Sequence, residues 1–174
     1  MSIQSLSRIL SMLSLLPIVG IPIMWVYFLW KIDEFAEVIL TNAGFSIQWS
    51  TVETYQLYIV CLSKAAVGMI LVWGLLSLRK VFIAFTNGQI FVHQNILYIK
   101  HFSATLIFTA ITGVLTTILA SVILSLNHPA GQKTLSISIG GQEIWIMMIG
   151  LTFWLIAKIL RKASLLENEN KQFV

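Results

Sequence analysis

Residues 102–126 read FSATLIFTAITGVLTTILASVILSL, a stretch without one charged side chain. As an α-helix it would rise roughly 37 Å, more than the about 30 Å hydrocarbon core of a bilayer. Three further runs have the same character. Run 9–30 is uncharged and contains Pro17 and Pro22. Run 55–78 is interrupted only by Lys64, and run 144–160 carries Lys158 near its end. A lysine near a helix end can extend its ammonium to the headgroups, so Lys158 is compatible with a span. The proline positions lack a backbone donor and should kink the first span. Run 9–30 is also longer than the about 7–15 residues of a signal-peptide core, and it ends in Trp25, Tyr27, Phe28 and Trp30 rather than in small residues. It therefore reads as a retained helix.

Composition agrees with these runs. Hydrophobic residues make up 57% of the 174 and charged residues 10%, against about 25% charged in an average soluble domain. The expected fold is an all-α membrane protein, a four-transmembrane-helix bundle forming one domain over 1–174, with the lipid bilayer as its first partner. Lys and Arg distribute unevenly around the spans. Arg8, Arg79, Lys80, Lys100, Lys158, Arg161, Lys162 and Lys171 lie on one side, and only Lys31 and Lys133 on the other. Eight against two places both termini and loop 79–101 in the cytoplasm by the positive-inside rule. The formal charge of +4 is accounted for by this topology, so no direct nucleic-acid binding is expected.

The loops have their own patterns. In 44–50 and 134–139 apolar and polar residues alternate, which is strand period, and two short extracytoplasmic strands are expected there. In the inner loop, Thr86–Asn87–Gly88 reads as a helix stop followed by a turn, after which a helix should resume near His93. Asp33, Glu34 and Glu37 form an acidic flank outside the first span. Their carboxylates suit a divalent cation, or simply a solvated helix end. The single cysteine, Cys61, rules out both an intrachain disulfide and a thiolate zinc site.

Few residues carry chemistry. Lys64 lies ten positions into its span, where a charge costs about 2.5–3.5 kcal/mol on insertion scales. It should face the interior or water, and Glu37, Glu53 and Glu143 are the acids available to it. It is either a ligand, ion or proton site or a structural pair. Thr105, Thr109, Gly113, Thr117, Ser121 and Ser125 recur every fourth residue. Such small-xxx-small spacing permits close helix approach, within the bundle or in a homo-oligomer, and the hydroxyls can bond carbonyls one turn back. The histidines His93, His101 and His128 show no metal-ligand spacing. Nucleophile–base patterns, phosphate loops and paired intramembrane carboxylates do not occur. Neither an enzyme nor a cofactor is expected.

The inner turn Phe85-Thr-Asn-Gly-Gln-Ile-Phe91, followed by Asn95, and the closing segment from Ala157 through Arg161-Lys162-Ala-Ser-Leu-Leu-Glu167-Asn-Glu169 to Phe173-Val174 together resemble a bacterial membrane family labelled domain of unknown function 2975. Val92 departs from the Thr or Ser common in that family, and Phe173 from its Leu or Thr. The resemblance implies a bacterial inner-membrane location and a cytosolic partner, a small helix-turn-helix regulator. It points to Gly88, Phe91 and Asn95 in the turn, and to Arg161, Lys162, Glu167 and Glu169 in the tail, as the partner surface. The expectation from sequence is thus a regulatory or sensory membrane protein. The alternatives are a small transporter, channel or ion-handling protein centred on Lys64, and a structural assembly subunit.

Overall fold

The computed structural model describes residues 2–35, 52–89, 92–128 and 135–170, with side chains as far as 166 at the C-terminal end. All regular structure among them is helical: α1 (Ile3–Leu13), α2 (Leu15–Trp30), α3 (Thr54–Thr86), α4 (His93–Leu124) and α5 (Gly141–Asn170), with 32–35 helical as well. Taking α1 and α2 together, four helices are long and apolar enough to cross a membrane: Ile3–Trp30, Thr54–Thr86, His93–Leu124 and Gly141–Leu166. Their outer faces carry bare apolar side chains such as Leu16, Val26 and Trp145, each about two-thirds exposed or more (70%, 67% and 71%). Water would not tolerate so much apolar surface, whereas lipid does. The chain reads as a multi-pass membrane protein.

The helices outrun the apolar runs. The first begins at Ile3, where the Ser2 hydroxyl caps it by accepting from the Ser5 N–H at 3.2 Å, and it breaks at Ser14. Pro17 explains the break. It has no N–H for the Leu13 carbonyl, and the next bond, Ile18 N–H to Ser14 C=O, is stretched to 3.4 Å. Within α2, Pro17 occupies the first turn, where no donor is needed, and only Pro22 is interior.

The turn after α3 is a Schellman motif. Gln89 N–H donates to Ala84 C=O (3.0 Å) and Gly88 N–H to Phe85 C=O (3.1 Å), while Gly88 has φ +76°, a conformation that Cβ disfavours. At the opposite end, Glu53 and Gln56 form a capping box on α3. Gln56, fully buried, also donates to the Ile123 carbonyl of α4 at 2.6 Å.

The expected strand over 134–139 does not form within 135–139, where the backbone runs without regular structure. Instead of a ladder partner, Ser136 N–H finds the Ser121 hydroxyl of α4 at 3.2 Å, so this part of the loop is tied to a helix rather than to another strand. The other expected strand, 44–50, lies outside the described residues.

The helices associate in series. The α1–α2 limb lies on α3, α3 on α4, and α4 on α5; α2 and α5 nowhere come within 8 Å, Cα to Cα, and neither do α3 and α5. A glycine sits at each junction. A Cβ on Gly68 would fall 2.5 Å from Trp25 Nε1 of α2, one on Gly74 2.8 Å from Thr105 Cγ2 of α4, and one on Gly150 2.9 Å from Ile107 Cγ1 of α4. Between helices in lipid, such close approach supplies the attraction that the hydrophobic effect does not. Near the α3 start, Ile32, Leu57, Val60, Cys61, Ala120 and Leu124 form one buried cluster; Val81, Ile99 and Ala157 form another near the chain termini.

Overpacking costs about 1–3 kcal/mol. Gly74→Leu and Gly150→Leu should each destabilise the detergent-solubilised protein by such an amount, seen as a lower thermal midpoint. Gly20→Leu, with nothing within 4 Å of its Cβ, should leave it nearly unchanged. Equal behaviour of all three would refute the role of the glycine contacts.

Candidate functional site

Because α2 and α5 do not meet, a cleft remains between them, walled by all four spans. Its volume is about 270 Å³, and its lining includes Trp25 of α2, Lys64 and Gly68 of α3, Thr109 and Gly113 of α4, and Glu143 of α5. Lys64 is half-buried. No hydrogen bond or ion pair within 4 Å engages its ammonium among the described residues, and the acid whose field reaches it is Glu143.

Glu143 is held elsewhere. It lies in the first turn of α5, and its carboxylate curls back over Gly140, where a Cβ would fall 2.5 Å from Oε2. A carboxylate at a helix N-terminus is stabilised by the unpaired N–H groups and the helix dipole. Its other side rests on α4: a Cβ on Gly113 would be 3.6 Å from Glu143 Cγ and 3.7 Å from Oε1. The helix end serves the acid, while the base is left facing the cavity with no hydrogen-bond partner among the described residues. A cleft of this kind can take a small ligand with an acidic group for Lys64 and a donor for Glu143.

Of the acids expected near Lys64, Glu143 is therefore the one brought to it. Glu53 instead caps α3 and accepts from Asn127 Nδ2 at 3.3 Å, and Glu37 lies outside the described residues. In the acidic flank, Glu34 is bonded by Lys31 at 2.5 Å; this contact raises the exposed Lys31 ammonium above its ordinary pKa.

The hydroxyl stripe of α4 is satisfied one turn back. Thr105 donates to His101 C=O (2.8 Å), Thr109 to Thr105 C=O (2.8 Å), Thr117 to Gly113 C=O (3.1 Å), Ser121 to Ile118 C=O (2.7 Å) and Ser125 to Val122 C=O (3.2 Å). Steps of four residues turn about 40° each, so the stripe winds roughly 200° around the helix. Thr105 consequently meets α3 at Gly74, Thr109 and Gly113 line the cleft, and Ser121 holds the loop at Ser136.

The residues singled out in the inner turn are part of the turn itself. Asn95 is 2% exposed and its side-chain amide donates to the Gln89 carbonyl; Gly88 supplies the left-handed cap, and Phe91 lies outside the described residues. Arg161 and Lys162 are exposed on α5. Glu167 and Glu169 fall on its last turns, beyond the described side chains. Gln56 and Gly140 were missed by sequence reasoning. For Gln56 the signal was available as a capping pair, Glu53 and Gln56 three residues apart.

No protein family, curated protein or solved structure matches the chain.

If Lys64 and Glu143 act on each other across the cleft, removing one charge strands the other. In a double-mutant cycle, Lys64→Met and Glu143→Gln should be non-additive in thermal stability, with a coupling of about 0.5–3 kcal/mol. Strict additivity would mean that the two groups are independent.

Proposed function

We propose that the chain is a non-enzymatic sensory membrane protein. The Lys64 cleft takes a small ligand bearing an acidic group, and α5 conveys its occupancy to the C-terminal tail. The observation that carries this reading is the Lys64 ammonium, unpaired among the described residues, facing Glu143 in the first turn of the same unbroken helix that carries Arg161 and Lys162. From Glu143 to Arg161 that helix spans roughly 27 Å. Among the described helices α5 touches only α4, so a ligand that draws on Glu143 can tilt it against that neighbour. The resemblance noted above supplies the partner: a small cytosolic helix-turn-helix regulator contacted by the tail. Charge distribution supports both termini in the cytoplasm, and the resemblance supports a bacterial inner membrane.

A transporter or channel would use the same lysine. Against it, the lining of the cleft stops at Leu71 and Thr109. Further along, the helices close at Gly74 against Thr105 and at the Val81–Ile99–Ala157 cluster. A cleft closed at one end suits binding better than conduction.

Truncation after residue 163 should abolish co-purification of the crosslinked cytosolic partner while membrane insertion persists, and Lys64→Met should preserve co-purification but remove the response of the partner's transcriptional output. Partner capture that survives truncation would exclude the tail as the contact. A Lys64→Met change in solute flux across proteoliposomes would favour the transporter. For orientation, in a Cys61→Ala background, Ala163→Cys should react with an impermeant maleimide only in permeabilised cells, and Leu135→Cys in intact cells. The reverse pattern would invert the topology.

A further inference from the structure

At the end of the molecule where α1 begins and α4 starts, α4 and α5 enclose a second cavity, of about 280 Å³. His93 and Lys100 approach it from α4, two turns apart on one face. Lys158 and Arg161 approach it from α5, one turn apart, with Trp154 beneath them. Among the described residues no acid lines it. The Lys100 ammonium lies 6.0 Å from the Trp154 ring centroid. The nearby N-terminus of α4 has neither a side-chain cap nor an acid in its first turn, which adds unpaired positive dipole. The positive-inside rule accounts for the number of basic residues on this side. It does not account for three of them, from two helices, converging with His93 on one hollow.

An adjoining groove between α3 and α4 is larger, about 660 Å³, and shares Leu97 and Lys100 with the basic cavity. From Lys100 it continues along α4 to Phe108, roughly 12 Å toward the middle of the span, past Ala104 and against Ile70 and Trp73 of α3. A cationic cavity opening onto an apolar trough suits a ligand with an anionic head and long hydrocarbon chains.

We infer that the α4–α5 end is a binding site for an anionic phospholipid of the surrounding leaflet, its phosphate held by Lys100, Lys158 and Arg161 and one acyl chain laid along the Ile70–Phe108 groove. Basic pockets between transmembrane helices have the chemistry for such headgroups. This site is separate from the Lys64 cleft and does not depend on the sensory reading.

The test is native mass spectrometry of the full-length protein in detergent, titrated with dioleoyl phosphatidylglycerol, dioleoyl phosphatidylcholine or inorganic phosphate. Phosphatidylglycerol should bind at least about tenfold more tightly than phosphatidylcholine. The triple variant Lys100→Gln/Lys158→Gln/Arg161→Gln should lose that preference, as expected from three basic groups near a lipid phosphate. Arg8→Gln/Lys162→Gln, which removes two basic residues that do not line the cavity, should retain it. Ala104→Trp, which fills the groove and leaves every charge in place, should weaken phosphatidylglycerol binding several-fold. Equal binding of the two lipids, or equal loss in both charge variants, would overturn the site as unspecific surface charge. Binding of inorganic phosphate as tight as that of phosphatidylglycerol, unaffected by Ala104→Trp, would make it a site for free phosphate and overturn the lipid assignment.

Discussion

Apolar side chains gain little by leaving hydrocarbon for one another, so helices in a bilayer hold together only where their backbones can come close or their polar groups can bond. The rest of this structure depends on that constraint. Gly68, Gly74 and Gly150 each lie where a Cβ would collide with the neighbouring helix, and these three contacts correspond to the three successive junctions of the chain. Among the described residues, polar bonds between elements lie near helix ends: Gln56 to Ile123 and Asn127 to Glu53 near the start of α3, Ser136 to Ser121 beneath the last loop. Long apolar faces between these points are left to lipid.

Attachment at successive junctions has a structural consequence. A closed four-helix bundle would bring the first and last spans together and fill its axis. Here the α1–α2 limb rests on α3 and α5 on α4 without meeting each other, and the space between them becomes the Lys64 cleft. The charge in the second span thereby faces a cavity, and among the described residues no contact partner neutralises it. Glu143 is near enough to act on it electrostatically, yet it is held at the N-terminus of its own helix. Two opposite charges kept apart by separate anchors form a site that a ligand can bridge, whereas a closed ion pair would have to be broken first.

Much of the architecture was legible because span length and hydropathy are cumulative signals. Four long apolar runs, with only Lys64 and Lys158 as charges among them, are hard to misread, and Thr86–Asn87–Gly88 announced its turn through the glycine. What escaped was set by long-range neighbours. The alternation at 135–139 carries strand period, but a strand needs a partner, and Ser121 supplied the backbone bond first. The every-fourth-residue stripe of α4 looked like one face in the sequence; the 3.6-residue turn winds it from Gly74 through the cleft to the last loop. Lys64 was identifiable from its depth alone, whereas the selection of Glu143 over Glu53 was not, because Glu53 is diverted by a capping box three residues long. Asn95 read as a surface residue of the turn, but it is consumed within the turn by the Gln89 carbonyl.

Small residues therefore serve two opposed purposes in this chain. At Gly74 and Gly150 the missing Cβ lets backbones close up and excludes everything else. At Gly113 and Gly140 it makes room for the Glu143 carboxylate, which rests against both. A methyl group at 140 would meet Oε2 and swing the acid off the helix N-terminus. One at 113 would touch its stem and still leave it in ordinary van der Waals contact. Gly140 is thus the stronger determinant of where the negative charge stands relative to Lys64. The field within the cleft is governed by a residue that carries no charge and lies just outside the helix it controls.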